Sequence, residues 1–482
     1  MKKIRIGIAT LLSLAAYARA QTVNEDIKIT AFDSMPYANY GKSVASDQGV
    51  LAVGAFADEH GGAVSGSVYL YDSNPDSATY GSLLSKITGV GADEGYFFGH
   101  SVAISEGVLA VGAIMQDDHE GVVYLFDGDP SSSTFGTQLS KLTATDKPID
   151  DVLYFAAFGE SIAIDQGVVF IGAPNDDETE INAGAVYVFD GDPASPAFGT
   201  QLNKITASDG VYKDRLGSSI SIHNGVLAVM SSGDDDGGNG NGSAYIFDSD
   251  LASESFCSEL YKFTVSDVLD GDTFESALSI DQGVLAISAK NDADPGFVKG
   301  SVYLFDVDPQ SSTFGTRLRR IYPNSNREGS RFGSSVFMEQ GLLAVGAPSY
   351  FLSQSQIGAV FFFDANPESP AFGSQKLTLN ASDPGKYDLL GLSITIDHGV
   401  VAAGARSDDN GMVDAGSVYI IDISCPQDVN RDFLLDFYDL DAFMTRYAQS
   451  DLAVDFDGSG ELDFFDVSEF LEEFAAGCPI AH

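Results

Sequence analysis

Two twelve-residue stretches near the end of the chain carry oxygen-bearing side chains at alternating positions: "DVNRDFLLDFYD" (428–439) and "DFDGSGELDFFD" (455–466). In the first, Asp428, Asn430, Asp432, Asp436 and Asp439 fill positions one, three, five, nine and twelve; in the second, Asp455, Asp457, Ser459, Asp463 and Asp466 do. Position seven ligates through its backbone carbonyl, so Leu434 and Glu461 are both acceptable there. A turn that points every second side chain inward builds an all-oxygen cage, and the cation that suits such a cage is calcium. Gly460 allows the sharp bend at position six of the second loop. Phe433 holds that place in the first, where a left-handed conformation would cost about 1–2 kcal/mol, so the second loop is the stronger site. Aspartate at position twelve is shorter than the usual bidentate glutamate, which lowers affinity or changes denticity.

The elements that must hold these loops follow them directly. Leu440, Phe443, Met444 and Tyr447 lie at helical spacing, as do Val467, Phe470, Leu471 and Phe474. Two loops, each followed by one apolar helix, resemble a dockerin rather than a pair of EF-hands with entering helices. With "CPQDVN" at the start and "AAGCP" at the end, the segment is similar to the Gly-Cys-ended dockerin-like tails of planctomycete-type bacteria. The resemblance implies a calcium module at 425–482 that attaches its carrier to a receptor, cohesin-like or in the cell envelope. Dockerins often place hydroxyls at loop positions ten and eleven, where this chain has Phe437-Tyr438 and Phe464-Phe465. Those aromatics either fill the core of the small module or form a hydrophobic docking face. Cys425 and Cys478 bracket the module; a bridge between them would add a few kcal/mol in the loop-entropy account. Cys257, in an outer loop, is left over.

The remainder of the chain repeats itself. "FFGHSVAISEGVLAVGA" (97–113) returns as "AFGESIAIDQGVVFIGA" (157–173), "RFGSSVFMEQGLLAVGA" (331–347) and "LLGLSITIDHGVVAAGA" (389–405), with weaker copies between. Gly41, Gly99, Gly159, Gly217, Glu275, Gly333 and Gly391 mark seven units spaced by 58 or 60 residues. Within a unit the apolar residues alternate or run as strands do, broken at "SEG", "DQG" or "HNG" by tight turns. A third strand such as "SVYLYD" or "VVYLFD" and a fourth such as "SKLT" complete four strands per unit. Seven such units predict a mainly β, seven-bladed β-propeller over 21–424, with a small α-helical calcium-loop domain after it. The seventh unit ends at Asp422 without a fourth strand, whereas "DIKITA" (26–31) stands alone near the start. The reading expects that N-terminal strand to close the last blade and cover its open edge.

Phe158-Gly159 with Gly172-Ala173-Pro174, and Phe332-Gly333 with Gly346-Ala347-Pro348, resemble FG-GAP repeats, which build the propeller of integrin α-chains and many exported bacterial proteins. Integrin-type repeats often hold calcium in an aspartate-rich loop between the first two strands. Here that connection is only a tight turn, so those metal sites do not carry over.

Repetition separates structure from chemistry. "GHSVA" (99–103) has a serine-hydrolase look, but Ser43, Ser161, Ser219, Ser335 and Ser393 share the place of Ser101. The aspartate ending each third strand recurs in all seven units and reads as a turn or cap contact. Six histidines share no ligand spacing, and no paired carboxylate stands apart. The loops between second and third strands do vary, among them one with Asp234-Asp235-Asp236, a cluster of oxygens of the kind that takes calcium.

Residues 1–20, with Lys2, Lys3 and Arg5 before an apolar run and Ala18-Arg19-Ala20 after it, read as a cleaved secretory signal. No later run is long enough for a transmembrane segment. With 70 acidic against 25 basic residues, the surface repels nucleic acid and attracts divalent cations. The expectation is a secreted or cell-surface binding or adhesion protein that is not an enzyme, its propeller facing a protein or glycan ligand. The alternative is a polysaccharide-active enzyme on the same scaffold, targeted by the tail.

Overall fold

The computed structural model describes residues 21–33, 35–60, 63–89, 96–117, 119–145, 155–236, 241–264, 274, 277–289, 300–323, 329–352, 355–409, 412–423, 437–449, 454, 456 and 462–476. Residues 1–20, expected from sequence to be a secretory signal, lie outside these residues, as do Cys425 and Cys478. Among the described residues, seven antiparallel sheets repeat one four-strand order. Blade one runs through Ser43–Asp47, Val50–Ala55, Ser67–Asp72 and Leu83–Thr88. Its second and third strands are wholly buried, which explains their unbroken apolar sequence, while the fourth is partly exposed at the rim.

First strands stand side by side around an axis: Ser43–Asp47, Phe98–Ser105, Ile162–Asp165, Leu216–His223, Leu278–Asp281, Ser335–Glu339 and Ser393–Asp397. Each packs on the next, and the last returns to the first, so the ring is shut. Adjacent blades share apolar clusters. At the closing seam Leu51, Val53 and Tyr69 of blade one meet Val400, Ala402, Val418 and Ile420 of blade seven.

Serines that repeat in six of the seven units explain themselves here. Ser43 Oγ donates to the Gly99 carbonyl of the next blade at 2.9 Å, Ser101 to Gly159 at 2.5 Å and Ser161 to Gly217 at 2.7 Å. Ser335 reaches Gly391 and Ser393 reaches Gly41, both at 2.8 Å, the latter across the closure. The blades approach closely enough that a methyl group at Gly404 would overlap the Gly41 carbonyl oxygen. Ser101 is therefore an inter-blade clasp, as its repetition suggested. The aspartate ending the third strand caps the loop that follows: Asp127 accepts from Ser132 Oγ, Thr134 Oγ1 and the Asp129 amide at 2.6–3.1 Å.

The N-terminal segment does more than the sequence suggested. Strand β2 (Ile27–Ile29) pairs antiparallel with Ser417–Asp422, register Ile27↔Ile420 to Ile29↔Val418, and is the fourth strand of blade seven. Before it, β1 (Gln21–Val23) adds a fifth, parallel strand outside blade six, against Gln375–Leu379. Glu25 accepts from the amide and hydroxyl of Ser382, at 2.9 and 2.5 Å. Asp33 then joins blade one through Tyr69 and Lys86. One strap thus ties three blades together.

Two helices end the described chain, α1 (Phe437–Ala448) and α2 (Phe464–Ala476), where the apolar spacing placed them. Phe443 stacks on Phe470 with centroids 4.1 Å apart, over Phe456 and Val454.

Deleting residues 25–31 uncovers the edge of blade seven and removes the strap. The expected result is a Tm lower by at least about 5 °C, with aggregation in static light scattering. An unchanged Tm would contradict closure by this strand.

Candidate functional site

The loops joining second to third strands, and those leading from a fourth strand into the next blade, come together at one end of the ring. A repeating side-chain network fixes them. In blade one, Tyr69 Oη donates to Asp33 at 2.8 Å and to Asp58 at 3.1 Å, while Lys86 Nζ reaches the same two carboxylates at 2.6 and 2.9 Å. Blade four repeats it with Tyr245, Asp209, Asp234 and Lys262, at 2.7–2.9 Å. Blade seven repeats it with Tyr419, Asp383 and Asp408, but the lysine is Lys28 of β2, 2.7 Å from both carboxylates. The ammonium also sits 4.7–5.2 Å above each tyrosine ring. In the Asp234-Asp235-Asp236 cluster, Asp234 and Asp236 hold Lys262, at 2.9 and 2.6 Å.

Two buried carboxylates lie beside this network without repeating around the ring. Asp214 accepts the Val211 amide at 2.7 Å, and Asp388 accepts that of Gly385. Burial, and then the charge of Asp408, push the Asp388 carboxyl up to about 6; burial and Asp234 push Asp214 in the same direction. Asp383 moves the other way. Burial opposes its ionisation, yet hydrogen bonds from Lys28 and Tyr419 hold it below the ordinary carboxylate range.

Above the network stand exposed apolar side chains that the repeat does not dictate: Phe32, Tyr37, Tyr212 and Tyr387, with Met412 and Val413. Backbone bonds between neighbouring blades position them. The Tyr37 amide donates to Val413 at 2.9 Å, Lys213 to Ile181 at 2.9 Å and Tyr387 to Gln356 at 2.7 Å. Tyr37 and Tyr387 are held at φ of 66° and 74°, a left-handed backbone that side chains with a Cβ rarely adopt. Aromatic rings among carboxylates on a rigid rim form a surface able to stack on and hydrogen-bond a ligand. The varying loops stand out in the sequence but these aromatics do not; Tyr37 and Tyr387 share one place, four residues before Gly41 and Gly391. A separate groove on outer strands of blades two and three is lined by Lys141, Thr143, Gln201 and Lys204.

Of the twelve loop positions in the tail, Asp439, Asp463 and Asp466 are described; Asp428, Asn430, Asp432, Leu434, Asp436, Asp455, Asp457, Ser459 and Glu461 lie outside the described residues. Asp439 and Asp466, position twelve of each loop, are in the first turn of α1 and α2, and both are completely buried. Asp466 accepts the Asp463 amide at 2.7 Å, and Asp463 accepts that of Phe465 at 2.7 Å. Phe464 and Phe465 do not fill the small core; they are 74% and 64% exposed.

The shifted carboxyls set opposite pH windows. Asp388, raised above its unfolded value near 4, contributes stability below about pH 4 and loses it as pH rises through about 6. Asp383, lowered, contributes above about pH 4 and loses that as pH falls further. Asp388→Asn should therefore raise Tm at pH 7.5 and leave it nearly unchanged at pH 4.5 in paired thermal scans. An equal shift at both pH values would contradict this assignment.

Comparison with protein families matches the FG-GAP repeat at residues 23–71, 82–126, 137–189, 200–247, 257–305 and 374–421, more than half of the chain. The first match starts before β2 and ends in the third strand of blade one, so the sequence unit is offset from the blade by one strand. Comparison with curated proteins finds no match. Among solved structures, the chain is similar to one chain of "Crystal Structure of Mitotic Checkpoint Complex", with 11% identity and a TM-score of 0.50. The match covers 88% of this chain and 97% of that one, a likeness of fold alone. The recurring clasps, the seven blades and the six matched units lead to one conclusion: the chain belongs to the FG-GAP repeat family.

Proposed function

We propose that this is an exported, non-catalytic binding protein whose propeller presents one loop face to a protein or glycan ligand. Its tail, 425–482, serves as a dockerin-like calcium module that attaches the whole to a cohesin-like or cell-envelope receptor. The observation that carries the first part is the set of exposed aromatics on the rim, Tyr37 and Tyr387 fixed by inter-blade backbone bonds and Tyr212 by that of its neighbour Lys213. Rigid presentation of large side chains lowers the entropy cost of binding.

The tail reading rests on the spacing of its carboxylates and on the burial of Asp439 and Asp466 beside an aromatic core. An all-oxygen donor set suits calcium. Asp455, Asp457, Ser459, Asp463 and Asp466, with the Glu461 carbonyl, would hold the ion in the second loop; Asp428, Asn430, Asp432, Asp436, Asp439 and the Leu434 carbonyl would hold it in the first. Calcium there supplies charge neutralisation that fixes the loops. Exposed Phe464 and Phe465 then belong to the face offered to the receptor, a hydrophobic rather than hydroxyl-bearing one.

Calcium titration of the full chain by calorimetry tests this reading. Asp455→Ala combined with Asp457→Ala should abolish the tighter site and leave the propeller's thermal transition in place. Binding to isolated cell envelope should need calcium and fall at least tenfold in the same double variant. Calcium uptake identical in wild type and double variant would refute the tail assignment.

A further inference from the structure

The seven turns between first and second strands gather around the axis at the end of the ring opposite the aromatic face. Each first strand ends in Asp47, Ser105, Asp165, His223, Asp281, Glu339 or Asp397. The residue after it is left-handed in every blade: Gln48, Glu106, Gln166, Asn224, Gln282, Gln340 and His398, at φ of 45–50°. The carboxylates here have a repeated structural task, accepting a backbone amide from the next turn. Asp47 accepts from Glu106 at 2.7 Å, Asp281 from Gly341 at 2.9 Å, Glu339 from His398 at 3.1 Å and Asp397 from Gly49 at 2.8 Å.

Three blades depart from the glutamine of the other four, with Glu106, Asn224 and His398. Where four blades carry glutamine, blade seven carries His398, which sets an imidazole over two of these carboxylates. His398 Nδ1 lies 2.5 Å from Asp397 Oδ1, and one donor atom each of His398, Asp397 and Glu339 fall within 4.8 Å of one another. Asp397 is buried and Glu339 half-buried, whereas the His398 side chain is 72% exposed, so an ion can reach the group from solvent. Asp47 of blade one is near enough to add its charge to the same seam.

We propose that this seam binds a divalent first-row transition ion, with zinc the fitting probe, through His398, Asp397 and Glu339. A nitrogen donor with two carboxylates suits zinc-class ions, whereas calcium selects oxygen-only cages such as those read in the tail. Donor atoms bound to one ion at about 2.1 Å stand about 3–3.5 Å apart, so the imidazole, whose side chain is 72% exposed, would swing away from Asp397 to admit the ion. The remaining coordination positions would be taken by water. This inference stands independently of the calcium reading.

Zinc titration of the full chain, in excess calcium to saturate the oxygen-only loops, tests it by calorimetry and equilibrium dialysis. The variant is His398→Gln, because Gln48, Gln166, Gln282 and Gln340 show that glutamine fits this backbone. Wild type should take up one more zinc per chain than the variant, and zinc should raise the Tm of wild type only. Equal zinc uptake and affinity in the two proteins would mean adventitious binding to an acidic surface and would overturn the proposal.

Discussion

Everything in this molecule depends on a short strand from one end of the chain pairing with a strand near the other. The Asp422 amide donates to Asp26 across a separation of 396 residues. Closing a flexible loop of that length costs about 5 kcal/mol in entropy, and the few backbone bonds of β2 return only about 1 kcal/mol each. Side chains must make up the difference. Ile29 and Ala31 are buried in the cluster shared by blades one and seven, and Lys28 bridges Asp383 and Asp408 beneath the Tyr419 ring. The same lysine position is filled by Lys86 and Lys262 within their own blades, so β2 is a displaced copy of an ordinary fourth strand.

Closure separates the molecule's two ends into different tasks. The inner turns interlock through amide-to-carboxylate bonds, and serine clasps join five seams among the described residues, leaving little freedom between blades. Loops at the other end inherit that rigidity while their tips vary, which is how a repeat scaffold acquires a specific surface. The Tyr–Asp–Lys networks act at the boundary, tying the variable loops to the invariant strands with buried charge. Their cost appears at Asp388, whose carboxyl is pushed up to about 6 by burial and then by the charge of Asp408, which Lys28 and Tyr419 hold beside it.

Most of the fold was legible in the sequence, because in a propeller the period itself states the architecture. Seven anchors, alternating apolar strands and a missing fourth strand were enough to expect the ring and the partner of "DIKITA". Strand β1 was not legible: "QTV" is short, has no repeat to match, and becomes a strand only because blade six offers an edge. The ion partners of Asp234 and Asp236 were hidden for a similar reason, since Lys262 lies on a different strand and reaches them only after folding. The exposed rim aromatics escaped notice because only two blades, with Tyr37 and Tyr387, carry one at the same place in the repeat. Phe464 and Phe465 were left between core and surface, and the answer follows from the helix face that Phe443 and Phe470 had already taken.

Native-state hydrogen exchange of the full chain measures the closure most directly. If the N-terminal strand completes the ring, the amides of residues 26–29 should exchange as slowly as those of residues 417–422, both opening only with global unfolding. Exchange of residues 26–29 at the rate of a fraying terminus, while 417–422 stay protected, would contradict it.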